Sequence, residues 1–231
     1  MHALIKTKDG SFTLYNAFLD ETYHSINGAM TESMHVFIKN GLLFQPVKKN
    51  EINILEIGFG TGLNALLTVQ HKPIDKTIYY VATEPFPLSL DESLAYFNQF
   101  ETIPQKIKLL EKMLKDCTER FVEIEKGFYF RLIKEPIQIF SKSNSLEVFG
   151  TINRKFTGYD CVYFDAFAPQ KQPDMWTLET FEGIINQMAQ ESLLTSYCAQ
   201  GQFKRHLKSL GLKVLRIEGP PGKREMTVAL M

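Results

Sequence analysis

No stretch of this sequence approaches the roughly 18 consecutive apolar residues of a membrane span, and no apolar run follows the opening MHALIKTKDG. Neither a spanning helix nor a secretory leader is therefore expected. Cysteine is scarce. Cys117, Cys161 and Cys198 are odd in number and scattered, which excludes a disulfide or zinc framework and reads as reduced thiols of a cytoplasmic protein. The five histidines show no metal-ligand spacing, so no metal is expected. Neither sign of charge is in excess, with 26 Lys and Arg against 26 Asp and Glu, so any polyanionic partner must be met by a local surface. Repeats, low-complexity tracts and linkers are missing as well, and residues 1–231 read as a single domain long enough to bury a full core.

What is present is short apolar runs alternating with helix-like stretches. The runs are 52–57 (INILEI), 77–83 (TIYYVAT), 137–140 (IQIF), 159–165 (YDCVYFD), 192–197 (SLLTSY), 212–217 (LKVLRI) and 226–231 (MTVALM). Helical stretches fall at 62–71, 90–99, 104–122, 177–190 and 201–210. Near-continuous apolar strands separated by helices predict an α/β protein whose mostly parallel sheet is covered on both faces. FYFRLI and PIQIF suggest a local hairpin. Residues 1–50 fit no βα unit and read as an N-terminal elaboration on a core of 51–231. In such a sheet, ligands lie outside the carboxyl ends of the strands.

The first strand runs into LEIGFGTGLN, where Gly58, Gly60 and Gly62 allow a sharp turn and close approach to a ligand. The helix from Leu63 aims free N–H groups at the same place and favours an anion. Leu63 stands where the dinucleotide fingerprint wants glycine or alanine, which argues against a nicotinamide dehydrogenase. A ligand-free glycine turn is the plain alternative. The second strand ends at Glu84, either a ribose-binding acid or a solvated charge. After the expected third strand come Ser143, Asn144 and Ser145, suited equally to an adenine edge or a helix cap. The fourth ends at Asp165, ahead of a loop holding Phe167, Pro169, Lys171, Asp174 and Trp176. Glycine, acid, polar and acid thus gather at one crevice.

LEIGFGTGLN, EPFPL, FDAFAPQKQPDMW and GPPGKREM, with ETYHSINGAMTESMHVFIKNGL near the start, resemble the MnmC-like tRNA methyltransferase family. The resemblance covers nearly the whole chain. It departs in SKSNS, where the family commonly carries Asp or Ala, and in Gln172, where it commonly carries Asn. The resemblance implies a Rossmann-like fold that uses S-adenosyl-L-methionine, releases S-adenosyl-L-homocysteine and needs no metal. Its substrate is the aminomethyl nitrogen of a modified tRNA wobble uridine, and its product 5-methylaminomethyl-2-thiouridine. Some members carry a fused flavin-dependent oxidase; after Met231 neither that domain nor a flavin is expected.

By motif position, the implied cofactor residues are Glu32, Glu56, Gly58, Gly60, Thr61, Gly62, Asn64, Glu84, Pro85, Ser143, Asn144, Ser145 and Asp165. Phe167, Pro169, Lys171, Lys223 and Arg224 would meet the tRNA, and Tyr23, His24 and Ser25 lie near the site with Glu32. Asp165 gains a catalytic role. An alkyl amine of pKa up to ~10.4 is protonated at neutral pH, and freeing its lone pair costs roughly 4–5 kcal/mol. A carboxylate beside the amine can orient it and take the proton. The plainer reading has Asp165 capping its loop and Phe167 in the core; Trp176 reads as packing. From residue 201 onward, Lys204, Arg205, Lys208, Lys213, Arg216, Lys223 and Arg224 face only Glu218 and Glu225, a local basic surplus suited to phosphate or simply solvated. A small-molecule amine methyltransferase, an aminopropyltransferase and a non-catalytic binding module stay open as alternatives.

Overall fold

The computed structural model describes residues 2–44, 49–100, 107–142, 145–152 and 154–231, with only the backbone at 145 and 146. Its centre is an eight-stranded sheet. In chain order the strands are β4 (Glu51–Ile57), β5 (Thr77–Thr83), β6 (Val122–Glu125), β7 (Phe128–Ile133), β8 (Tyr159–Phe164), β9 (Met188–Ser196), β10 (Lys213–Glu218) and β11 (Glu225–Leu230). Across the sheet they lie β10-β11-β9-β8-β4-β5-β7-β6. β7, β5, β4, β8 and β9 run parallel, β11 is antiparallel between β9 and β10, and β6 forms an antiparallel edge on β7.

The apolar runs are buried on both faces because successive side chains point to opposite sides. Ile54, Tyr80 and Tyr163 pack on one face with Leu66 and Phe130. Leu55, Val81, Val162 and Phe164 pack on the other with Phe181 and Phe203. Helices α2 (Leu63–His71), α3 (Leu90–Phe97), α4 (Ile107–Asp116), α7 (Leu178–Ile185) and α8 (Gly201–Ser209) lie close to the stretches read as helical from the sequence.

One strand assignment is corrected. Residues 137–140 form a helical turn, α5 (Ile137–Phe140), with Phe140 N–H bonded to Pro136 O and Ser141 N–H to Ile137 O. Proline cannot donate to a ladder, and the two residues buried here, Ile137 and Phe140, are spaced by three as on a helix face, while Ile139 is exposed. The third parallel strand is β7, and the hairpin is β6–β7, turning through Gly127 at φ 70°. Ser143 and Asn144 lie outside the described residues; Ser145 opens α6 (Ser145–Gly150) and its side chain is not described.

Residues 2–44 form a sheet of β1 (His2–Lys6), β2 (Phe12–Asn16) and β3 (Glu21–Thr22), then α1 (Ala29–Ser33). A wide-turned helix over Met34–Leu42 follows, in which Leu43 N–H reaches back five residues to Ile38 O. Such widened turns free carbonyls for other partners, and Thr195 Oγ donates to Val36 O at 3.0 Å. A Cβ on Gly41 would meet the Tyr163 ring at 2.8 Å, so glycine lets this helix lie directly on β8 and β9. Among the described residues no helix is long and apolar enough to cross a membrane.

Candidate active site

A cavity of about 1040 Å³ opens at the carboxyl ends of β4, β5, β8 and β9. The N-terminal elaboration forms one wall through Tyr15 and residues 20–26, with Glu32 from α1. Each core strand contributes by the geometry of its end. Gly58 leaves β4 at φ 88°, and a Cβ there would stand 2.5 Å from the carbonyl oxygen of Asp165. Only glycine allows the β4 and β8 exits to come that close. Gly60, at φ 50°, lies against Tyr23 at the cavity wall, a Cβ coming within 3.0 Å of its ring. Gly62 does not line the cavity; it starts α2 at φ 83° and its bare α-carbon makes room for Leu110 and Phe59.

Glu84 follows β5 and faces the cavity beside Pro85. Its Oε2 accepts from Gly60 N–H at 3.1 Å and its Oε1 from Phe86 N–H at 3.0 Å. Burial raises its pKa, opposed by these two amides. Each oxygen keeps a second acceptor site. Asp165 follows β8; its N–H holds Ile57 O at 2.9 Å and its Oδ2 accepts from Asn64 Nδ2 at 2.8 Å. Burial pushes its pKa from 3.8 up to about 7, helped by the Glu32 charge and opposed by Asn64 and Lys223. Asn64, in the first turn of α2, also reaches the fully buried Glu56, which does not line the cavity. Thr61 is buried at the wall, its hydroxyl 3.4 Å from His24 Nε2; burial lowers the His24 pKa to about 4, leaving a neutral ring.

The residues expected to meet tRNA divide. Phe167 lines the cavity, edge-to-face with Tyr23 at 5.0 Å. Its backbone is held on both sides, N–H to Gln172 Oε1 at 3.2 Å and carbonyl to Trp176 Nε1–H at 2.8 Å. Gln172 thus shapes the loop, and Trp176 packs among Phe164, Phe181 and Phe203. Pro169 and Lys171 do not line the cavity, and Lys171 pairs with Asp20 at 3.0 Å. Lys223 points inward. Its Nζ sits 2.6 Å from Glu32 Oε1 and 3.9 Å from the centre of the Tyr197 ring, while Ser25 N–H donates to the other Glu32 oxygen. Arg224 is exposed outside the cavity. Glu225 gathers Lys204 at 2.9 Å and Arg216 at 2.8 Å, so part of the C-terminal basic surplus is already paired.

Tyr197 was not singled out from the sequence. It follows β9, lines the cavity and donates to Ala166 O at 2.8 Å. A polar aromatic at a strand's carboxyl end is the signal that could have found it, by the reasoning that found Asp165. Seven carboxylates line the cavity, from Asp20, Glu21, Glu32, Glu84, Asp165, Asp174 and Glu179, and Lys223 is the lone lysine or arginine among its lining residues. Such a lining suits a cationic guest. Among the described residues no group of three His, Cys, Asp or Glu is placed to hold a metal ion.

The family described as S-adenosyl-L-methionine-dependent methyltransferase matches residues 111–231, more than half of the chain. The chain belongs to this family. The tRNA 5-methylaminomethyl-2-thiouridine biosynthesis bifunctional protein MnmC of Pseudoalteromonas atlantica is 30% identical over 98% of the chain and 34% of that protein. Its counterpart from Paraburkholderia phymatum is 28% identical over 94% of the chain and 33% of that protein. The chain spans about a third of the length of these curated relatives. The crystal structure of MnmC2 from Aquifex aeolicus shares the fold, with a TM-score of 0.77 at 24% identity over 99% of the chain and 70% of that structure.

The cavity fits the family's cofactor. A sulfonium and an α-ammonium suit its acidic lining, the free acceptor sites of Glu84 suit ribose hydroxyls, and Gly60 leaves the loop bare beside Tyr23. Gly60→Val in this methyltransferase is therefore expected to abolish S-adenosyl-L-methionine binding, because its side chain projects at Tyr23 and narrows the cavity. Glu84→Ala is expected to weaken binding by about 1–3 kcal/mol. Isothermal titration calorimetry measures both, and unchanged affinity in either variant would remove that residue from the cofactor site.

Proposed function

We propose that this methyltransferase transfers a methyl group from S-adenosyl-L-methionine to the aminomethyl nitrogen of a modified tRNA wobble uridine, giving 5-methylaminomethyl-2-thiouridine. The observation that carries the reading is Asp165, a strand-end carboxylate with a pKa of about 7 in an acid-lined cavity. The names of the two MnmC relatives, which align along nearly the entire chain, point the same way. In this reading residues 1–231 act as one unit, 1–50 walling the site that 51–231 build, in the cytoplasm and without flavin chemistry.

Bound S-adenosyl-L-methionine supplies an electrophilic methyl group. The chain's own part is to bind the amine, strip its proton and keep water away. The acidic lining attracts the ammonium. Asp165 Oδ2 is engaged by Asn64, leaving Oδ1 to accept a hydrogen bond from the ammonium and then its proton. Matching matters here. From an amine of pKa ~10.4 to an ordinary carboxyl, transfer is uphill by roughly 9 kcal/mol; to a group at about 7 it is uphill by roughly 5 kcal/mol. Phe167 and Tyr23, both lining the cavity, supply aromatic rings on which a splayed uracil could stack.

The deciding experiment is nucleoside mass spectrometry after incubating tRNA with the protein and methyl-labelled S-adenosyl-L-methionine. Label is expected in 5-methylaminomethyl-2-thiouridine from tRNA bearing the aminomethyl group, and none in tRNA lacking it. Equal labelling of both, or a small free amine methylated with comparable kcat/KM, would overturn the reading. Phosphate contacts also make a prediction. Arg224→Ala is expected to weaken tRNA binding and to reduce the slope of log affinity against log salt by roughly 1. Lys223→Met is expected to leave that slope unchanged, because Lys223 is engaged inside with Glu32.

A further inference from the structure

One amide nitrogen holds two carboxyl groups at this site. Asn64 Nδ2 donates to Glu56 Oε1 at 3.0 Å and to Asp165 Oδ2 at 2.8 Å, which uses both of its hydrogens. Flipping the carboxamide would turn its oxygen onto both acceptors, so the two acids together fix its orientation. Asn64 and Asp165 line the cavity; Glu56 is fully buried beneath them and does not.

The surroundings of Glu56 weigh against a charge on it. Its Oε2 and the Tyr80 hydroxyl on the neighbouring strand lie near one another without forming a well-aligned hydrogen bond. An ionised carboxylate there would stand half-satisfied in the core with a second carboxyl behind the same amide, a burial costing several kcal/mol. A protonated one carries no charge to desolvate. Burial foremost raises its pKa well above the usual carboxyl range, with the nearby Asp165 and Glu84 charges adding and the Tyr80 hydroxyl and Asn64 amide opposing. Burial thus favours the neutral form of Glu56, with Oε1 as the acceptor for Asn64.

We infer that Glu56 is a positioning residue: it anchors the Asn64 carboxamide and, through it, aims the Asp165 carboxylate into the cavity. The inference rests on reading Asp165 as the proton acceptor. It moves Glu56 from the cofactor contacts, where its motif position placed it, to a place behind the acid. With Oδ2 held by Asn64, the remaining Asp165 oxygen is presented to a ligand N–H, and the same hydrogen bond restrains the upward push of burial on the Asp165 pKa. Removing Glu56 leaves an Asn64 hydrogen without an acceptor and the carboxamide free to turn.

The test compares Glu56→Leu, Glu56→Gln and Asn64→Ala by turnover, by S-adenosyl-L-methionine affinity and by carbon-13 NMR titration of the Asp165 carboxyl. Glu56→Leu is expected to lower kcat by about 10–100-fold through misplacement of Asp165, with cofactor affinity unchanged and the Asp165 midpoint displaced. Glu56→Gln, isosteric with a neutral acid, is expected to recover the lost turnover and the native midpoint. Asn64→Ala removes the donor and is expected to move the midpoint above about 7. A Glu56→Gln protein that melts like the wild type yet is as impaired as Glu56→Leu would overturn the inference. So would a Glu56→Leu protein that loses cofactor affinity while Asp165 titrates normally. If Glu56→Leu does not fold, Glu56→Gln and Asn64→Ala decide. The titration needs no substrate, so it stands apart from the tRNA reading, which the labelling of tRNA with and without the aminomethyl group decides.

Discussion

Asp165→Asn is expected to reduce methyl transfer by about 10²–10⁴-fold, the range for losing a positioned base, while S-adenosyl-L-methionine still binds. The asparagine oxygen can take over the hydrogen bond from Asn64, which turns its NH₂ toward the cavity, a donor where an acceptor is needed. In the wild type, kcat is expected to fall as pH drops through about 7, where the carboxylate is lost. That limb should vanish in the variant, whose residual rate should climb toward the amine's own pKa. The same substitution is expected to stabilise the fold, with a definite sign and window. The folded pKa, about 7, lies above the unfolded value near 3.8, so the native state prefers the proton. Below 3.8 both states hold it and Asp165 costs nothing. Between 3.8 and about 7 the unfolded chain ionises first and stability drains away, reaching a full penalty of at most roughly 4 kcal/mol above that window. The variant should therefore melt higher than the wild type at pH 8 and equally at pH 4. Wild-type turnover in Asp165→Asn, or no pH-dependent difference in melting, would reduce Asp165 to a loop residue.

Much of this site was legible because each strand end carries its own chemistry. The apolar runs before Gly58, Glu84 and Asp165 are parallel strands buried on both faces, and a sheet of that kind gathers its carboxyl ends at one crevice. Failures came where the signal is short or non-local. Four letters, IQIF, three of them apolar, suit a buried strand or one helical turn equally, and Pro136 with the exposure of Ile139 settles it as helix. That error carried the expected third strand end toward Ser143, whereas Pro136, Ile137 and Gln138 face the cavity.

Lys223 illustrates the other kind of failure. A basic residue in a glycine–proline turn reads as a solvent-exposed phosphate contact. Its partner Glu32 stands 191 residues away on an N-terminal helix, and no local pattern announces a pair of that separation. The same holds for Lys171 with Asp20, and for Glu225 with Lys204 and Arg216. Counting charge along the chain overstated the free basic surface, because burial and pairing are properties of the fold.

Gly58→Ala is expected to damage fold and chemistry together. At φ 88° an alanine costs about 1–2 kcal/mol in backbone strain alone. Its methyl would also meet the Asp165 carbonyl oxygen at 2.5 Å and the carbonyl carbon at 3.1 Å. Neither neighbour is a side chain that can swing aside. Gly58 N–H is bound to Thr83 O at 3.0 Å and Asp165 N–H to Ile57 O at 2.9 Å, so relief requires parting the ends of β4 and β8. Total destabilisation should reach about 2–4 kcal/mol once overpacking is added. The parting displaces Asp165 itself, and a misplacement near 1 Å is enough to lose roughly 10²-fold in turnover. Gly60→Ala supplies the contrast. Its φ of 50° is one that other residues occasionally adopt, and its methyl would meet only the Tyr23 ring, at 3.0 Å, which can shift. It should therefore spare the melting temperature more than Gly58→Ala does, while weakening cofactor binding through a narrower cavity. Thermal melts, calorimetry and turnover on the two variants separate these outcomes. Equal melting temperatures and equal turnover would show that the close approach of the β4 and β8 ends does not hold Asp165 in place.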